Sequence, residues 1–270
     1  MDVRDALGDR PWLVELFAVA NFGGLAGDIF LAHSTNNFRS TSEYVPLYFS
    51  IGATGLLGAA LVLRTRWPSF WRGAGHLVGW LAIAVGLAGV VLHLDSQFFY
   101  ERTIRSLTYA APFAAPLAYA GLGLLLIANR MVAPRTREWA QWMLLLALGG
   151  FAGNFVFSLT DHAQNGFFHW AEWVPVASSA LAIGCLAAPF AADVTAAYLR
   201  LCGFVLVVQV LVGLAGLTLH VVADLGQAAP TLFDKILHGA PPMAPLLFVN
   251  LSLLAAIALS AWSDTLESRR

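Results

Sequence analysis

The chain has 270 residues and a formal net charge of -1, and it is 59% hydrophobic against only 11% charged. That balance excludes an ordinary soluble domain, in which about a quarter of the residues are charged. No basic run or glycine-rich phosphate loop occurs, which excludes nucleic acid as a partner. What remains is an all-α integral membrane protein whose first partner is the lipid bilayer.

In chain order, eight apolar stretches reach the roughly 20 residues that a helix needs to cross about 30 Å of hydrocarbon. They cover about 12–31, 44–63, 75–94, 109–128, 139–160, 173–192, 199–221 and 243–262. Residues 1–10 mix both charge signs and lead into the first stretch without a small-residue cleavage pattern, so that stretch is expected to stay as a span. Glu15, about one turn inside it, is expected to snorkel to the nearer interface.

The second and sixth stretches open on Glu43-Tyr-Val-Pro46 and Glu172-Trp-Val-Pro175. A carboxylate and a proline both suit a helix's first turn, and these read as caps. The fourth and eighth open on Ala111-Pro-Phe-Ala-Ala-Pro-Leu117 and Ala240-Pro-Pro-Met-Ala-Pro-Leu246. Here Pro116 and Pro245 either start their helices or sit one turn inside them, freeing carbonyls beside a kinked cavity. Gln209, in mid-span, reads as interhelical glue. Cys185 and Cys202 read as buried free thiols. The single lysine, Lys235, falls in a connection, which rules out a retinal Schiff base within the membrane.

These pairs belong to a longer pattern. Gly86-Leu-Ala-Gly-Val-Val-Leu-His93 returns as Gly213-Leu-Ala-Gly-Leu-Thr-Leu-His220, at an offset of 127 residues, and Gly24-Leu-Ala-Gly27 returns as Gly150-Phe-Ala-Gly153 at 126. The Glu-aromatic-Val-Pro and Ala-Pro pairs repeat at 129. The chain is therefore expected to hold two four-helix units, 1–133 and 134–270, within one membrane domain. Four spans per unit is an even number, so the units run parallel about a pseudo-two-fold axis along the membrane normal.

Orientation follows from the basic residues. With the amino terminus inside, eleven of the fifteen lysines and arginines are cytoplasmic, and Arg39, Arg102, Arg105 and Lys235 are outside. Both termini are expected in the cytoplasm. The high Ala, Leu, Arg and Trp content with almost no Lys points to a bacterial inner membrane.

On this reading the exoplasmic ends collect His33, His93, His162, His169, His220 and His238, against only His76 on the other side. Polar groups beside membrane helices are costly unless paired, hydrated or bound to something. His93 and His220 stand above glycine strips, with Gly89 and Gly86 four and seven residues earlier in one helix and Gly216 and Gly213 in the other. A strip without side chains lets a flat macrocycle lie against the helix while the imidazole ligates its metal. Small residues at this spacing also let membrane helices pack closely, and both readings stay open. Asp95 and Asp224 follow the two histidines and are expected to orient the imidazoles or join a metal site. Asp28, His33, Asp161 and His162 complete an oxygen- and nitrogen-rich set suited to a transition metal.

The sequence reading is thus an exoplasmic His/Asp ligand site between the halves. Haem or a transition metal ion is its expected cofactor, serving electron transfer or cofactor handling with an exoplasmic redox partner or other membrane subunits. The layout resembles that of the haem A synthases, which are duplicated four-helix bundles with paired histidines, although none of their motifs is matched residue by residue. Two rival classes remain: a small-solute transporter or channel, and a non-catalytic accessory subunit of a larger membrane complex.

Overall fold

The structure is a computed structural model that describes residues 8–267, and the expected cytoplasmic placement of Arg4, Arg269 and Arg270 lies outside the described residues. The described residues form helices and no strands. Eleven α-helices follow in order: α1 Arg10–Ser34, α2 Tyr44–Leu63, α3 Pro68–Asp95, α4 Phe98–Glu101, α5 Ile104–Tyr109, α6 Leu117–Met131, α7 Arg137–Gln164, α8 Trp173–Ala191, α9 Ala196–Gly226, α10 Leu232–His238 and α11 Leu246–Glu267. Short 3-10 turns, Thr41–Glu43 and Trp170–Glu172, lead into α2 and α8.

Seven of these helical segments are long and apolar enough to cross a membrane. The fourth expected stretch, 109–128, becomes a 15-residue helix starting at Leu117, about 22 Å long. The cause is Pro112 and Pro116, which have no N–H to donate to a ladder. Single turns follow each proline instead, with Ala115 N donating to the Pro112 carbonyl and Tyr119 N to that of Pro116. Pro116 and Pro245 therefore precede their helices rather than kink them.

Contacts divide the long helices into two groups of four. α1 packs on α2 and α6, and α3 on α2 and α6; α7 packs on α8 and α11, and α9 on α8 and α11. α6 against α7 and α1 against α11 join the groups. Inside, Phe22, Leu57, Leu125, Met143, Phe151, Leu186 and Trp262 are fully buried. Large apolar side chains such as Val62, Trp80, Phe204 and Leu211 instead point outward, an arrangement suited to lipid rather than water.

Polar contacts fasten the joints. Asn21 of α1 and Asn250 of α11 exchange amide hydrogen bonds, and Arg10 donates to Ser260 at 3.1 Å and Asp264 at 2.7 Å. Glu15 does not snorkel. It is 2% exposed and forms two 2.7 Å bonds with the fully buried guanidinium of Arg130, which stacks on Trp71. Asn129 donates to the same carboxylate and accepts from Trp139 Nε1, carrying the network into α7. Paired in this way, a carboxylate tolerates burial that would otherwise be prohibitive.

Candidate functional site

The end of the bundle opposite the chain termini brings the histidines together in two clusters, one per group of helices. Each is built by a local chain reversal after the first helix of its group. At the end of α1, the His33 carbonyl accepts from Phe38 N at 3.0 Å; at the end of α7, the His162 carbonyl accepts from Phe167 N at the same distance. The reversals require left-handed backbone at Asn37 and Phe38 and at Gly166 and Phe167, with φ between 49° and 70°. Aromatic stacking offsets the strain on the phenylalanines: Phe38 lies on Tyr44 at 4.5 Å between centroids and Phe167 on Trp173 at 3.9 Å.

The reversal then folds the next helix start back onto the histidine. Ser40 and His169 cap the 3-10 turns by accepting from Ser42 N and Ala171 N. Those turns place Glu43 Oε2 3.2 Å from His33 Nδ1 and Glu172 Oε2 3.6 Å from His162 Nδ1. The four side chains are 11–22% exposed, so they sit in the mouths of the bundle and not in bulk water. Both Oε2 atoms are buried and lack an aligned hydrogen bond, so each contact is a charge pairing that tightens when its imidazole is protonated.

The second histidine of each cluster comes from the third long helix of its group. His93 Nδ1 lies 2.9 Å from the Pro112 carbonyl, and His220 Nδ1 lies 2.9 Å from the Pro241 carbonyl. His93 and His33 face each other with ring centroids 6.5 Å apart and planes 76° apart. His220 lies within electrostatic range of His162 and Asp161. Nδ1 of His93 and of His220 lies within hydrogen-bond distance of a carbonyl, Nδ1 of His33 and of His162 faces a carboxylate without an aligned hydrogen bond, and Nε2 of all four rings has no hydrogen-bond partner among the described residues.

The remaining sequence candidates fall elsewhere. No ring contact joins His93 to His220 among the described residues; each pairs within its own group of helices. The glycine strips are filled. A Cβ on Gly86 would come within 2.8 Å of the Pro116 carbonyl, and one on Gly89 within 2.7 Å of Pro116 Cβ. On α9, Gly213 and Gly216 meet the Pro245 carbonyl and Cβ at 2.8 and 3.0 Å. A macrocycle therefore does not fit over either strip. Asp95 is exposed and accepts from the Tyr100 hydroxyl, while Asp224 is buried and accepts from Ala240 N at 2.7 Å, so neither orients a histidine. Asp28 makes no hydrogen bond among the described residues and lies within electrostatic range of the Tyr119 hydroxyl.

Among the described residues, no three His, Cys, Asp or Glu side chains converge closely enough to hold a metal ion. Two imidazoles per cluster are the available donors. Glu43 and Glu172, read from sequence only as caps, are the residues that sequence reasoning missed as site residues. Their offset of 129 residues equals that of His33 and His162, and that shared spacing was the available signal. Compared with protein-family profiles, curated proteins and solved structures, the chain finds no match.

Proposed function

We propose that this is a duplicated, eight-span membrane protein whose halves each carry one two-histidine ligand centre on the exoplasmic side. His33 and His93, with Glu43 and the Pro112 carbonyl behind them, form the first centre. His162 and His220, with Glu172 and the Pro241 carbonyl, form the second. The function proposed is electron transfer or cofactor handling through a transition-metal cofactor, haem in preference to a bare ion.

The observation that carries this reading is the 6.5 Å separation of the His33 and His93 rings, each with Nδ1 against an acceptor. Two imidazoles bound to one metal from opposite sides hold their ring centres about 6 Å apart, given metal-nitrogen bonds near 2 Å and about 1 Å from nitrogen to ring centre. An acceptor behind Nδ1 orients the ring and raises the basicity of Nε2, the arrangement that metal-ligating histidines use. With only two protein donors at hand, a metal that brings its own equatorial ligands suits the cluster better than a bare ion. Because the glycine strips are filled, such a group would be held between α1 and α3, and between α7 and α9, not against one helix. Bound there, haem would supply one-electron chemistry. The chain's own groups would fix the imidazoles and exclude water from one side.

A visible absorption spectrum and metal analysis of detergent-purified protein, reconstituted with haemin if colourless, test the proposal. His33→Ala or His93→Ala should remove about half of the bound cofactor, and His162→Ala or His220→Ala the other half. A protein that takes up neither haem nor metal, or one that keeps its cofactor when all four histidines are replaced, would overturn it. The orphaned Glu43 and Glu172 oxygens favour the second reading, in which the His-Glu pairs are latches of a transporter, channel or accessory subunit.

A further inference from the structure

Between α9 and α11, on the half of the bundle nearer the termini, lies an open-sided groove of about 490 Å³. Its walls are apolar, with Leu199, Leu206 and Val210 on α9 and Leu253, Ala256 and Leu259 on α11, and Arg200 stands at its outer end. The side chain of Arg200 is exposed and has no hydrogen bond, ion pair or aromatic contact among the described residues. An exposed guanidinium at the end of an apolar groove leaves a charge available to an anionic partner.

The groove has a cause in the packing. α3 and α6, the corresponding pair in the first group, touch through Gly79 and Gly123, where a Cβ on Gly79 would lie 3.0 Å from the Gly123 carbonyl. At offsets of 127 and 129 residues the second group carries Leu206 and Ser252, both of which line the groove. Side chains at that crossing hold α9 and α11 apart. In the first group the guanidinium of Arg130 also occupies the space over Gly75. At the histidine end both pairs close again, through Gly86 with Pro116 and Gly213 with Pro245.

We infer that this groove binds one acyl chain of an anionic phospholipid, with the phosphate held by Arg200. Dimensions favour this occupant. The α11 wall from Ser252 to Ser263 is about 16 Å long at 1.5 Å per residue, close to half of the roughly 30 Å hydrocarbon core, which is the depth of one leaflet. A guanidinium pairs with phosphate through two parallel N–H bonds, which matches the charge left over at the groove's end.

The full-length protein, delipidated in neutral detergent, would be titrated with dioleoyl phosphatidylglycerol or dioleoyl phosphatidylcholine and the bound lipid counted by native mass spectrometry. One phosphatidylglycerol should bind in preference to phosphatidylcholine. Arg200→Gln should weaken it by about tenfold or more, the loss of a charge-assisted contact, while leaving phosphatidylcholine binding unchanged. Ala256→Phe, which fills the groove from its wall, should abolish retention of both lipids in protein that remains monodisperse. Equal affinity of the wild type and Arg200→Gln for phosphatidylglycerol would overturn the inference. So would full lipid retention by Ala256→Phe, or a disulfide-linked dimer as the main product of oxidising a Leu253→Cys variant. None of these readouts depends on the histidine clusters.

Discussion

Glu15 and Arg130 meet in a space where neither is wetted, with side-chain exposures of 2% and 0%. Each makes the other tolerable, so removing one charge leaves the other stranded. Glu15→Gln should therefore lower stability by about 3–5 kcal/mol, the range for breaking a buried pair, measured as a fall in thermal unfolding temperature in detergent. Replacing both together, as Glu15→Leu with Arg130→Met, should cost less than Glu15→Gln alone. A double variant that is the less stable of the two would show that the ion pair itself, and not the stranding of its partner, is the stabilising element. At this scale the sequence disclosed which groups are expensive but not their partners. Glu15 lies 115 residues from Arg130, and the expectation that it reaches water was reasonable for an acid one turn inside a span. Glu43 and Glu172 were hidden differently: their place at a helix start already had a sufficient explanation as a cap. Only the chain reversal through Phe38 and Phe167, which sends each helix start back over a histidine, gives them a second role.

Among the helices, the two glycine repeats that look alike in sequence behave differently in space. Gly86 is closed off by the Pro116 carbonyl and the Ala120 backbone, which cannot yield as a flexible side chain would, whereas a Cβ on Gly24 meets nothing within 4 Å. Gly86→Ala should thus cost about 1–3 kcal/mol by forcing α3 and α6 apart, and Gly24→Ala should be neutral or stabilising, by up to about 1 kcal/mol, through helix propensity. Melting curves of both variants in one detergent check this. Equal effects would mean that the crossing at Pro116 is looser than the contacts imply. Long helices were legible because an 18-residue apolar run has few other uses, and the expected stretches overlap the helices throughout. The start of α6 was not, because Ala111 to Pro116 is as apolar as a span and only its prolines, acting through absent N–H donors, break the ladder. The glycine strips were legible as close-approach surfaces. What approaches was not, since an eight-residue motif does not record that the covering group is the proline of its own group's next helix.

Across the whole molecule, the connections cross between the two groups of helices. Gln164 at the end of α7 donates to the Thr108 carbonyl in the α5 connection at 2.7 Å, and α10 packs against α1. Each third connection thus lies on the first helix of the other group, beside the histidine clusters. This places the connections near Ser96 and Gln227 on the face that carries the histidines, and Thr136 on the face that carries the termini. Which face meets the cytoplasm rests on the arginine distribution, since a bundle has the same internal contacts either way up in a membrane. With eight of the twelve described basic residues on the terminal face, the insertion bias should hold that face inside. Single cysteines at Ser96 or Gln227, in a background with Cys185 and Cys202 replaced by Ala, should then react with an impermeant maleimide added to intact cells. A cysteine at Thr136 should react only after the membrane is opened. Gln227, half-buried just beyond the end of α9, makes no side-chain hydrogen bond among the described residues that labelling would disrupt, whereas Ser96 is exposed and its hydroxyl donates to the His93 carbonyl. If Thr136→Cys labels in intact cells and Gln227→Cys does not, the histidine clusters open to the cytoplasm, and the proposed exoplasmic placement of the ligand centres is lost even if a cofactor is bound.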